Sequence, residues 1–167
     1  QKGCSMKARS RISVAAFSLV LATAAGTPSL AAGEHDHGHG ATTATGLHLN
    51  AGKKWETDKA LRQAMDGINQ DMAKALPAIH KSRFADSEYA VLAANIEQKV
   101  GYAVEHCKLA PEADAMLHIV IADLMAGVEI MGGKTDGSRH DGAVRVLKAL
   151  QSYGKYFQHP GWKVAKG

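Results

Sequence analysis

The side chains best suited to chemistry in this chain are its nine histidines and one downstream cysteine, Cys107. Three of the histidines alternate with acidic and small residues in Glu34-His35-Asp36-His37-Gly38-His39. Neutral imidazoles on a flexible strand can converge on Cu2+, Ni2+ or Zn2+, with Asp36 and Glu34 as oxygen donors. His35, His37, His39 and Asp36 are therefore the leading metal candidates. Their chemistry depends on where the mature chain starts. Cleavage after Ala32 would leave Gly33-Glu34-His35 at a free amine. The amine, two deprotonated amides and the third-residue imidazole then close a square-planar Cu2+ or Ni2+ site. Cleavage after Ala31 puts His35 fourth and removes it. The alternative is a solubilising leader with no specific ligand.

Cys107, His118 and His159 form a weaker set, with ligand types that suit a soft or borderline metal. His106 adjoins Cys107, but neighbours on a helix point about 100° apart, so the two do not serve one ion. His118 falls roughly 10 Å along a bundle axis from Cys107 and is expected to be partly buried beside a core stripe. The alternative reading is a satisfied core histidine plus capping and surface ones. Met65, Met72, Met116, Met125 and Met131 offer thioethers for Cu(I), yet they sit at core spacing without an M-x-x-M run, which marks packing material. The sequence holds no G-x-S-x-G, H-E-x-x-H, phosphate loop or C-x-x-C, and no Glu-x-x-His within an expected helix. The expectation is a non-enzymatic protein.

Four apolar stripes must position these groups. Leu61, Met65, Ile68, Met72 and Leu76 recur at steps of three and four, behind a cap at Thr57 or Asp58. Arg62, Asp66, Gln70 and Lys74 fall outward, and Pro77 should end or kink this helix. Tyr89, Ala93, Ile96, Val100, Ala103 and Cys107 make the second stripe, capped by Asp86 or Ser87. A tight turn leads to the most apolar stretch, Pro111–Met131, whose expected core stripe is Leu117, Ile121, Leu124, Val128 and Met131. Met116, Ile119, Val120 and Ile130 lie on other faces. A helix apolar almost all round is either central or covered by a partner. Gly132-Gly133 offers its stop.

Ser138 and Asp141 resemble a capping box before a fourth helix with Ala143, Leu147, Leu150, Gly154 and Phe157 inward. Pro160-Gly161 stops it, and Trp162 should fold back onto the bundle end. Short connections predict an all-α, antiparallel up-down-up-down four-helix bundle over residues 55–167. That topology gathers His80 and His140 at one pole. His106, Cys107, His159, Trp55 and His48 collect at the other.

Residues 1–32 read as a removable leader with a few residues upstream of it. Met6 begins it, Lys7, Arg9 and Arg11 form a basic start, Ile12–Ala25 an apolar run, and Ser29-Leu30-Ala31-Ala32 the cleavage zone. The run is too short to span a bilayer comfortably, and no membrane span is expected after cleavage. Residues 33–54 form a histidine-rich tail and lead-in. Gly33–Gly46 has too little apolar bulk to fold and is predicted to be disordered. The implied compartment is the periplasm. Four of the 20 basic residues (Lys2, Lys7, Arg9, Arg11) lie in the leader, which holds no acid, so the rest balance the 16 acids. The formal charge of +4 belongs to the leader and gives no support for a nucleic-acid partner. Cys4 is also upstream, which leaves Cys107 as a buried inert thiol, an intermolecular bridge or a ligand.

Gly33-Glu34-His35 resembles the amino-terminal copper/nickel motif of albumins. The strings Glu105-His106-Cys107-Lys108-Leu109-Ala110-Pro111-Glu112-Ala113-Asp114-Ala115-Met116-Leu117-His118 and Phe157-Gln158-His159-Pro160-Gly161-Trp162 resemble those of small proteobacterial periplasmic helical-bundle proteins. That resemblance implies export and a bundle, and brings no activity with it. The architecture is similar to four-helix cytochromes, whose haem sits between a methionine and a histidine; Met65 and His159 are the nearest counterparts, and no C-x-x-C-H attachment is present. It is similar also to copper-storage bundles, which line their core with many cysteines where this chain has one.

Three functions follow as expectations. The first is an exported bundle that binds Cu, Ni or Zn, chiefly through its tail, as a buffer or accessory. The second is an interaction module that forms a homodimer through helix 111–131, with relief for a partner near Ala126 and Gly127. The third is a b-type haem bundle.

Overall fold

The computed structural model describes residues 46–166. The expected leader and cleavage zone and the candidates His35, Asp36, His37 and His39 lie outside the described residues. Four helices follow in order: α1 Lys59–His80, α2 Asp86–His106, α3 Pro111–Gly132 and α4 Arg139–Tyr156. They form the antiparallel bundle that the four stripes predict. Packing is most extensive between α3 and α4, and α1 and α4 pack more thinly than α1 with α2 or α2 with α3. Among the described residues the only extended pairings are two isolated bridges, Asn50 with Lys53 and Trp55 with Phe157.

The stripe of α1 is buried as its spacing predicts: Leu61, Met65, Ile68, Met72 and Leu76 all lie in the core. Burial of each such side chain contributes about 1.5–3 kcal/mol. Asp58 is the cap, its Oδ1 accepting from the Leu61 N–H at 2.8 Å. Pro77 does not end the helix, which continues to His80. A proline inside a helix costs about 3 kcal/mol in lost bonding and crowding, and Ile79, buried beyond it, anchors the last turn in the core. At α2 the cap is Ala85, not Asp86 or Ser87. Alanine has no acceptor, so only half of a capping box forms, with the Ala85 N–H donating to Glu88 Oε2 at 2.7 Å. Cys107 is not the last core position of α2 either: the helix ends at His106, and Cys107 is its half-buried cap.

Helix α3 is rotated from its expected setting. Val120 is buried and Ile121 only partly so, while Met116 and Gly127 join the core. The cause is a close approach to α4. A Cβ on Gly127 would lie 2.8 Å from the Gly142 carbonyl oxygen, and one on Gly142 would lie 2.7 Å from the Gly127 oxygen. Gly127 is thus used inside the bundle and offers no relief to a partner. The same contact turns α4, where Val146 and Tyr153 are buried and Leu147 and Gly154 half-buried. Ser138 caps α4 by accepting from the Asp141 N–H at 3.1 Å.

Candidate functional site

The densest polar construction among the described side chains lies at the pole where the chain enters α1 and leaves α4. Trp55 is the first core residue and pairs with the end of α4. Its N–H donates to the Tyr156 carbonyl at 2.8 Å, and the Gln158 N–H donates to the Trp55 carbonyl at 2.7 Å. The Trp55 indole donates to the His48 carbonyl at 2.7 Å and so holds the lead-in. Beyond Gln158 the chain turns at Pro160-Gly161, where Gly161 takes a left-handed φ of 77° that suits glycine. It then lies against α1. There Asn69 grips it twice, donating Nδ2–H to the Lys163 carbonyl at 2.9 Å and accepting from the Ala165 N–H at 2.8 Å. Trp162 does fold back: its ring fills the space over Gly154, where a Cβ would be 2.5 Å away. Its edge meets Tyr153, with ring centroids 4.9 Å apart.

His159 sits at the centre of this construction with a side chain only 5% exposed. Its Nδ1 is 3.0 Å from the Tyr153 hydroxyl, and its Nε2 is 3.4 Å from Asp66 Oδ1. An ionised carboxylate can only accept, so Nε2 carries the proton and Nδ1 accepts from Tyr153. Burial lowers the His159 pKa, opposed by the Asp66 carboxylate and aided by Arg62. The ring is therefore neutral at pH 7. Burial, with Asp66 next, pushes the Tyr153 hydroxyl far above its usual range, which keeps it a donor. Arg62 donates through Nη1 to the Thr57 carbonyl and hydroxyl.

On the solvent side α1, α2 and the Pro160 turn border an open groove of about 1020 Å³, lined by Arg62, Asp66, Gln70, Gln98, Lys99 and His159 among others. Two of its charges are already engaged, Arg62 by Thr57 and Lys99 by Asp71 at 2.8 Å.

The weaker metal candidates are not brought together. His118 is not partly buried but 65% exposed, because the rotation of α3 swings it to the outer face. Its Nδ1 lies 2.9 Å from the Asp114 carbonyl and 3.4 Å from the Asp114 carboxylate. Burial, then Asp58 and Asp114, raises the Cys107 pKa, so its thiol stays protonated and is a poor ligand and nucleophile. Nδ1 of His159 is paired with the Tyr153 hydroxyl, its Nε2 faces Asp66, and Met65 is sealed in the core. Among the described residues no three His, Cys, Asp or Glu side chains are placed to hold one ion.

Asp66, Arg62, Asn69 and Tyr153 were not singled out by sequence patterns. Arg62, Asp66 and Asn69 recur at steps of four and three and so share one flank of α1, a signal that reads equally as a solvated face. Comparison adds nothing to this geometry: no family model matches the chain, and neither curated proteins nor solved structures do.

Proposed function

We propose that this protein is a non-enzymatic interaction module that pairs with a second copy of itself through the outward face of α3. One observation carries this reading. Helix α3 is apolar enough, by length and composition, to pass for a membrane span, yet only 39% of its most apolar 18-residue stretch is buried inside the bundle. The outward face carries the exposed Ala115 and Ala122 and the half-buried Ile119, Met125 and Ala126, with His118 and Glu129 as its polar members. Alanine lets helix axes approach closely, and Ile119 and Met125 supply area. The face is also self-complementary. In a two-fold antiparallel pairing centred on Ala122, Ile119 meets the partner's Met125, and His118 comes within one turn of the partner's Glu129. Sedimentation should give a dimer at micromolar concentration that Ala122→Glu converts to a monomer of unchanged helicity. A monomer at high micromolar concentration, or one that associates only with lipid vesicles, overturns the reading.

A second reading, metal buffering in the periplasm, rests on Gly33-Glu34-His35-Asp36-His37-Gly38-His39 alone. Deleting residues 34–39 should remove most Cu2+ or Ni2+ affinity and leave the melting temperature unchanged. Undiminished binding by the deleted protein overturns it. The periplasmic location itself requires a mature terminus at Ala32 or Gly33, which N-terminal sequencing decides.

A further inference from the structure

We propose that His159–Lys166 is a strap released by acid: it lies docked on α1 and α4 while the His159 ring is neutral, and protonation of that ring frees it. The strap has a structural task. Helix α4 packs far less against α1 than against α3, and the segment leaving α4 crosses to α1 and is fastened there by Asn69. It also covers Tyr153, which with Phe157 is fully buried. Release would uncover aromatic surface at this pole.

The fastenings are few, and each ties the strap to a residue of α1 or α4. Trp162 is seated against Gly154 and Tyr153. Its Nε1–H is buried with no hydrogen-bond partner, so docking leaves one bond unmade that water restores on release. His159 is the fastening that can titrate. A second proton would enter at Nδ1, where the Tyr153 hydroxyl already donates. That hydroxyl would have to turn, and a charged ring would remain in a site 5% exposed.

The surrounding charges set the balance. From α1, Asp66 favours the imidazolium and Arg62 opposes it, while burial, the largest influence, also opposes it. From α4 the facing group is Tyr153, itself within reach of Asp58. Lys59 and Lys99 of the same groove add no anion. Docking therefore prefers the neutral ring. Below the solution histidine pKa of about 6.5, the ratio of released to docked strap should rise up to about tenfold per pH unit, until the docked ring itself protonates.

The test is amide exchange of the full chain at pH 7.5 and pH 5.5, corrected for intrinsic rates. The Ala165 N–H, bonded to Asn69, should lose up to about tenfold in protection, and at both pH values it should be far less protected than Leu124 in the core. Asp66→Asn, which removes the one compensating carboxylate, should deepen the loss and extend it to lower pH. His159→Gln, whose amide can keep both contacts, should make Ala165 protection flat with pH. Ala165 protection that is flat in the wild type, or an equal acid loss in His159→Gln, overturns the proposal. So does equal protection at Ala165 and Leu124, which would mean that the strap opens only by global unfolding. If His159→Gln leaves Ala165 unprotected throughout, Asp66→Asn decides: a loss no deeper than in the wild type overturns the strap.

Discussion

Helix α4 has two neighbours and is held to them by opposite means. Against α3 it packs backbone to backbone, with Gly127 and Gly142 too close to admit a side chain on either. Against α1 it packs thinly, and the join is made by Trp55, the Tyr153–His159–Asp66 relay and the Asn69 clasp. The first seam depends chiefly on volume, with polar links only at its edges. The second is polar and depends on individual hydrogen bonds. One helix can thus be fixed rigidly on one side and reversibly on the other.

Substitutions that attack volume should separate the two seams most sharply. Gly142→Val must push α3 and α4 apart, since even its Cβ would lie 2.7 Å from the Gly127 oxygen and the Met131 nitrogen. A loss of about 3 kcal/mol or more in urea unfolding is expected. Trp162→Ala empties the socket over Gly154 and Tyr153. It should cost about 2–3 kcal/mol, with near-UV circular dichroism changed and far-UV helicity kept. Asn69→Ala removes two hydrogen bonds to the strap and should cost about 1–2 kcal/mol. Proteolysis at Lys163 and Lys166 should speed up before any change in the helices.

Acid should act on the polar seam alone. The folded pKa of His159 lies below its solution value, so the unfolded chain binds the extra proton first. Stability is full above about pH 6.5, falls as pH drops through that value, and levels off below the folded pKa. Chemical denaturation across pH 5–8 in wild type and His159→Gln measures this, and the variant should lack the decline. The smallest effect belongs to a surface pair at the edge of the α3–α4 seam, Arg145 with Asp123 at 3.0 Å and about half exposed on both sides. Arg145→Ala should change stability by about 0–1 kcal/mol. A larger loss would mean that the α3–α4 seam is not held by volume.

The same contrast sorts what the sequence revealed. Helix α1 was legible residue by residue because its apolar and polar positions alternate cleanly around the axis. Helix α3 was legible as a helix but not in rotation, since Ile119, Val120 and Ile121 are consecutive and equally apolar. What chose Val120 was Gly127 meeting Gly142, a contact between segments that periodicity does not encode. That rotation also carried His118 out of the core and away from Cys107. At the polar seam, Trp162 could be foreseen from Pro160-Gly161. Asp66, which reads as an outward residue, acquires its role only from His159, nearly a hundred positions later. The candidates at His35, Asp36, His37 and His39 rest on the sequence throughout.

The bridge between Trp55 and Phe157 has a mechanical meaning. The paired segments run parallel, so a pull on the chain before Trp55 and after Phe157 would draw them past one another. Both backbone bonds, to Tyr156 and from Gln158, would share that load in shear, and neither could unzip alone. The segment from His159 to Lys166 would peel first, at low force, followed by one abrupt rupture. Until then α1–α4 would bear no tension, and the bundle would hang from this single pole like a lantern from its handle.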